Sequence, residues 1–398
     1  MRLLSLIPAL LFAVEPDGST PLLRASHEED LAAVERLIRG GADVNAANDL
    51  GATPLWAACE NGNVAIVRKL LDAGANPNLA LHKGETPLMI AARAGKPEIA
   101  ELLLTKGAQP GARGPRGQTA LMWAAAQKHP EVVKVLLAHG ADIQARSEVW
   151  KNVEAVPPHG HPEYNKLIPH GGDTALLFAA RVGDLESAKL LVAAGAGVND
   201  ADAWGVSALT LAAHSDYRDV AEFLLEKGAD PNRAPAGFTA LHNAIMHRDE
   251  KLVEALLAHG ANPNTPVQTW TPVRRSAKDY HFPPSLMGAT PFWLAARFTQ
   301  PGVMRLLVKH GADPKFVHRV SYLHDFNDPR SESANAVQAA FGQGGGVAWV
   351  QPPAAEREGL TLETVKLAVE LGVPADAASL AAAKALRFDR VVQFLQTR

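Results

Sequence analysis

The feature that most constrains this chain is a repeat. Thr20, Thr53, Thr86, Thr119, Thr174, Ser207, Thr239 and Thr290 open related segments, spaced by 33, 33, 33, 55, 33, 32 and 51 residues. A glycine lies 21 residues after each one: Gly41, Gly74, Gly107, Gly140, Gly195, Gly228, Gly260 and Gly311. Self-similarity at a fixed period means one supersecondary unit stacked many times. It accounts for a length of 398 residues, beyond the roughly 250 to 300 residues at which single cores stop growing.

Within each 21-residue block the chemistry is that of two short helices. Thr-Pro-Leu at 20, 53 and 86 sets a capping hydroxyl before a proline at the first helical position, where a missing N–H costs nothing. Small residues follow, such as Leu55, Ala57 and Ala58 or Leu88, Ala91 and Ala92, and allow a neighbouring helix to come close. Gly62 or Gly95 breaks this first helix. The second helix carries an apolar stripe, Ile66, Val67, Leu70 and Leu71 in one block and Val132, Val133, Leu136 and Leu137 in another. Gly74 and its equivalents suit a left-handed helix end.

Thr-Pro-Leu-x-x-Ala-Ala followed by Leu-Leu-x-x-Gly-Ala-Asp at this period closely resembles the ankyrin repeat, over nearly the whole chain after Pro16. The resemblance implies an all-α solenoid in which each repeat is a β-turn finger plus two antiparallel helices, stabilised by stacking and closed by capping end repeats. On this reading residues 17–398 hold about ten repeats, the last two degenerate. After Gly311 an opening helix is expected at Asn335–Ala340, an interruption at Gly342–Pro353 and a second helix at Leu362–Leu371. Ala378, Ser379 and Leu380, with Val391, Val392, Phe394 and Leu395, make the final capping repeat.

Because the Thr-to-Gly distance is constant, length varies only between each glycine and the next cap. Two insertions are therefore expected in finger loops, at about 145–170 and 265–287. Loops on a rigid scaffold are where binding specificity commonly sits.

Composition narrows function. Lys plus Arg is 39 against 42 Asp plus Glu, a net charge of −3, without the basic footprint of a nucleic-acid binder. A single cysteine, Cys59, excludes an intramolecular disulfide and paired-cysteine zinc or redox motifs, and its Ala-rich helix makes it a buried filler. Leu3–Val14 is too short an apolar run for a membrane span, which needs about 20 residues. Arg2, this run and Ala13 read as a secretory signal over 1–14, implying export to the periplasm or beyond. The alternative is a hydrophobic cap on a cytoplasmic protein.

No phosphate-loop, HExxH or GxSxG pattern is present, and the glycines of 342–346 follow no expected strand. His159, His161, Glu163 and His170 could in principle ligate a metal, but Pro157, Pro158 and Pro162 surround them and the spacing fits a solvated loop better. His139, His259 and His310 precede capping glycines and suit helix C-termini. No cofactor, metal or catalytic step is expected.

The binding candidates are aromatic and basic. Trp204 and Phe238 flank finger glycines Gly205 and Gly237, a place that the family resemblance turns toward a concave groove. The last turn of each first helix faces that groove in the family, which carries over to Arg93, Gln127, Arg181, His214, Arg297 and Phe298, a modestly basic strip. Trp150 and Tyr164 in the first insertion, and Trp270, Arg274, Arg275, Tyr280 and Phe282 in the second, extend chemistry enriched at hot spots; alternatively these rings fold back on the scaffold. Trp56, Trp123 and Trp293 are expected as scaffold packing. The resulting expectation is a monomeric, non-enzymatic protein that binds another protein. Two alternatives stay open: an enzyme or metal-binding protein with its site in the insertions, and a protective scaffold for an envelope enzyme.

Overall fold

The structure, a computed structural model, describes residues 15–154, 166–271, 282–324, 328–342 and 350–397. Twenty α-helices in ten consecutive pairs occur among these residues, with two 3-10 turns and two small two-stranded sheets. The chain divides into two compact units. The first runs to Val149 and resumes over Gly171–Gly197; the second takes Trp150–His170 and everything from Val198 onward.

The first unit holds α1 (Pro21–His27), α2 (Leu31–Arg39), α3 (Pro54–Asn61), α4 (Val64–Asp72), α5 (Pro87–Arg93), α6 (Pro97–Thr105), α7 (Ala120–Ala126), α8 (Pro130–Ala138), α9 (Ala175–Val182) and α10 (Leu185–Ala193). First helices pack in the order α1, α3, α5, α7, α9, and second helices in the order α2, α4, α6, α8, α10. The core lies between these layers. It is made of the alanine pairs Ala57/Ala58, Ala91/Ala92, Ala124/Ala125 and Ala179/Ala180, with Ile66, Val67 and Leu70 and their equivalents from the second helices.

The second unit holds α11 (Ala208–His214), α12 (Arg218–Glu226), α13 (Ala240–His247), α14 (Glu250–Ala258), α15 (Pro291–Arg297), α16 (Pro301–Lys309), α17 (Ala336–Ala339), α18 (Ala354–Glu370), α19 (Ala377–Ala385) and α20 (Asp389–Gln396). β1 (Val149–Glu154) pairs with β2 (Lys166–Gly171) inside the first insertion. β3 (His318–His324) pairs antiparallel with β4 (Asp328–Ala334).

The caps fall where the sequence puts them. All eight Thr and Ser residues of the repeat series adopt extended backbone before a first helix, and each side-chain oxygen accepts the N–H three residues on, as Thr53 does from Trp56 at 3.2 Å. Seven second helices of the repeat series start in one of two ways, while α12, behind Tyr217, has neither a side-chain cap nor an opening proline. Asp30, Asn63, Asp184 and Asp249 cap with a side-chain oxygen. Where Lys96, His129 or Gln300 stands instead, no side-chain cap forms and proline opens the helix, removing one of the unsatisfied donors.

Between the helices of each pair one residue must take left-handed backbone, and here the sequence reading needs correcting. Gly62, Gly95 and Gly183 meet the demand without strain, but Glu29, Lys128, Asp216, Arg248 and Thr299 occupy the same place with φ between 51° and 62°. The turn is thus imposed by the stack, and glycine is an aid to it rather than a requirement.

Neighbouring repeats are latched by one side chain. Asn78 Nδ2 donates to the Gly107 carbonyl at 2.9 Å while its Oδ1 accepts the Gln109 N–H at 2.9 Å. Asn45, Asn199, Asn232 and Asn264 do the same toward the next repeat. The equivalent place four residues after Gly107 is Gly111, which has no side chain to latch with.

Beyond Gly311 the structure departs from expectation. A polar ribbon, β3–β4, fills the connection before Asn335, and its register is fixed by pairs such as Ser321 opposite Ser331. α17 is a single turn, capped by Asn335 in a reciprocal box with Gln338. α18 begins at Ala354, eight residues earlier than the Leu362 start read from the sequence.

Candidate functional site

In the first unit, the first-helix layer leaves three rings half-buried, Trp56 on α3, Trp123 on α7 and Phe178 on α9, and the last two share a repeat position. These two lie four residues after their caps, where α3 and α5 carry the buried Ala57 and Ile90. Each has a guanidinium over its face. Arg93, from α5, sits 5.4 Å from the centre of the Trp123 ring, and Arg181 sits 5.5 Å from that of Phe178. Cation–ring contacts of this kind hold long side chains in place at modest energy. Gln127, the residue closing α7, is exposed beside them.

The strip is less basic than its arginines suggest. Arg181 donates to the buried Asp173 carboxylate at 2.7 Å, and Arg93 lies 3.6 Å from Glu60. Aromatic surface framed by neutralised guanidinium groups is suited to flat apolar contact with directional hydrogen bonds at its margin.

In the second unit the same sequence candidates turn inward. Phe238 is only 6% exposed, and Phe298 5%, so neither ring is the accessible contact that the sequence reading expected. Phe238 is enclosed because Phe282, from the second insertion, packs against it at 5.4 Å while Trp204 meets it edge-on at 5.9 Å. Trp204 itself remains half-buried. Arg297 lies over Phe298 at 5.6 Å, and burial pulls its guanidinium pKa down to about 10, partly opposed by Glu332. The His214 carbonyl accepts from His247 Nε2 at 2.7 Å, tying α11 to α13.

Trp150 stacks on His170 across β1 and β2 at 5.6 Å, and Trp270 is half-buried. Tyr164, Arg274, Arg275 and Tyr280 lie outside the described residues, as do His159, His161 and Glu163. Trp293 is wholly interior and donates to the Ala334 carbonyl at 2.8 Å, the scaffold role read for it, whereas Trp56 and Trp123 keep part of their rings exposed. Sequence reasoning missed Phe178 and the surface character of Trp123. The available signal was that both stand four residues after a cap, with an arginine three residues further on in the case of Phe178.

Among the described residues no cluster of three or more His, Cys, Asp or Glu is placed to hold a metal. Cys59 is buried, and burial pushes its thiol pKa up, away from reactivity. No helix among these residues is long and apolar enough to cross a membrane.

Comparison with known proteins agrees with the repeat chemistry. A family model described as ankyrin repeats (3 copies) matches residues 3–80, 66–147, 156–235, 176–267 and 233–318. An ankyrin repeat-containing protein of Treponema pallidum is 45% identical over 94 residues, 23% of this chain and 32% of that protein. An ankyrin repeat protein of Rickettsia felis is 33% identical over 105 residues, 24% of this chain and 46% of its own length. A mitochondrial disaggregase of Bos taurus is 31% identical over 152 residues, covering 29% of this chain and 22% of that protein. The chain thus spans less than half of each of these relatives. With matched segments covering most of the sequence and the caps, turns and latches recurring repeat by repeat, this chain belongs to the ankyrin-repeat family.

Proposed function

We propose that this protein binds another protein without catalysing a reaction, and that the exposed edge of α5, α7 and α9 is its contact surface. Ankyrin repeats generally mediate protein–protein interaction. The observation carrying the reading is the pair of half-buried rings, Trp123 and Phe178, each held under a guanidinium on packed neighbouring helices. Side chains fixed in this way lose little freedom on association, so more of the contact energy appears as affinity. Aromatic and arginine side chains are also the types that dominate interface energetics.

The test is affinity capture from the native cell fraction with the full chain and with the Trp123→Ala/Phe178→Ala double variant. The expected result is a partner retained by the first and lost, by tenfold or more in affinity, by the second, with helical circular dichroism unchanged. Equal retention by both sinks the assignment. Export is part of the same proposal, supported by Arg2 and the apolar run Leu3–Val14; mass mapping of the N-terminus of the native protein checks it, loss of residues 1–14 being the expected outcome.

A further inference from the structure

The second insertion is fastened at both ends by buried histidines. His242, on α13 and fully buried, directs Nε2 to the carbonyl of Thr265, the first residue of the insertion, at 2.9 Å. His318, on β3 and fully buried, directs Nε2 to the carbonyl of Met287, the last residue of the insertion, at 2.8 Å. A carbonyl can only accept, so in both rings Nε2 carries the proton.

The other nitrogen of each ring is poorly placed for a second proton. His242 Nδ1 accepts the backbone N–H of Thr239 at 3.0 Å, closing a capping box at the start of α13. A proton there would oppose the Thr239 N–H and break the box, leaving only Thr239 Oγ1, 3.0 Å away, as an acceptor. His318 Nδ1 is buried and finds no hydrogen-bond partner, while the Trp293 ring packs 4.3 Å from the imidazole. Both imidazoles must therefore be neutral for the insertion to stay closed. The clasps hold substantial core: Val267, Phe282 and Leu286 are buried, and Thr271 and Phe282 are joined by hydrogen bonds at 3.0 and 2.8 Å.

We propose that His242 and His318 form an acid-sensitive clasp that keeps the stems of this insertion, residues 265–271 and 282–287, closed at neutral pH and releases them when the imidazoles take up protons. Release would strip Phe282 from Phe238, which Trp204 meets edge-on, converting an interior aromatic cluster into exposed surface.

The groups around the two rings set the sign. Burial lowers the His242 pKa to about 4, with only the Thr265 carbonyl opposing it. Burial also lowers His318, against the Met287 carbonyl and the Glu332 carboxylate of β4, which favour its protonation. Glu332 is in turn held by the Tyr322 hydroxyl of β3 at 2.7 Å and senses Arg297 of α15. For a histidine depressed in the closed form, stability is complete above the free value of about 6.5 and is lost as pH falls toward the closed-form value. At the position equivalent to His242 the other repeats carry Leu23, Trp56, Met89, Met122, Leu177, Thr210 and Trp293, none of which titrates as a histidine does, so the effect belongs to this insertion.

The test is amide hydrogen exchange of the full chain at pH 7.5 and 5.0, corrected for intrinsic rates. The expected result is a loss of protection at 265–271 and 282–289 of roughly 30-fold from the His242 shift alone, with α3–α6 holding their protection. His242→Gln with His318→Gln, which keep donors and acceptors but do not titrate, should flatten the dependence. Protection that is independent of pH, that falls equally in α3–α6, or that falls equally in the double variant overturns the proposal. Should the variants fail to fold, the regional pattern of the wild-type chain decides by the same criteria.

Discussion

The two units treat the first-helix face in opposite ways. In the first, rings and guanidinium groups along the first helices stay at the surface, with Arg93 over Trp123 and Arg181 over Phe178. In the second, the aromatics stand at other repeat positions and are drawn inside: Phe238, just before its cap, behind Phe282, and Phe298 beneath Arg297, which shares the place of Arg93 and Arg181 but is largely desolvated. The helices are alike, so the difference arises in the connection between each capping glycine and the next repeat. The face becomes core where the second insertion returns over it, as Phe282 does over Phe238; length alone does not decide, since the long connection from Gly140 to Thr174 lies between the repeats of Trp123 and Phe178. Position in a repeat therefore does not by itself assign a residue to a binding surface.

The largest expected effect probes this enclosure. Phe282→Ala removes a fully buried ring and should cost about 3–5 kcal/mol. Exchange protection around Phe238 and Val267 should fall while that of α3–α6 holds; an unchanged melting profile would mean that the insertion contributes no core. Next comes the latch between repeats. Asn78→Ala abolishes both of its hydrogen bonds and should lower stability by about 1–2 kcal/mol in urea unfolding. The smallest effect is of opposite sign. Gly111 is not in left-handed backbone and an added Cβ there meets nothing within 4 Å, so Gly111→Asn should supply the missing latch and gain about 0.5–1.5 kcal/mol. A loss of stability from this substitution would show that the latch geometry is not available at that step.

The range of each interaction decides how much of the molecule was legible in its sequence. Thr caps, first-helix prolines and capping glycines depend on residues within one turn, and these appear as read, from Thr20 to Gly311. The left-handed Arg248 and Thr299 were not legible, because the strain they bear is imposed by the stack and eased by contacts such as Arg248 donating to the Phe298 and Thr299 carbonyls. The β3–β4 ribbon escaped because its pairs are largely polar, such as Ser321 with Ser331 and Tyr322 with Arg330, and lack the apolar alternation that marks a strand. Phe238 was read as exposed because the residue that covers it, Phe282, is 44 positions away.

The central claim is that the open face of the first unit is the binding surface and its counterpart in the second unit is not. Hydrogen exchange of the chain with and without a captured partner measures this most directly. The account predicts added protection concentrated in α5, α7 and α9, including the Trp123 and Phe178 segments. Protection confined to α11, α13 and α15, with α5 to α9 exchanging as in the free chain, would contradict it.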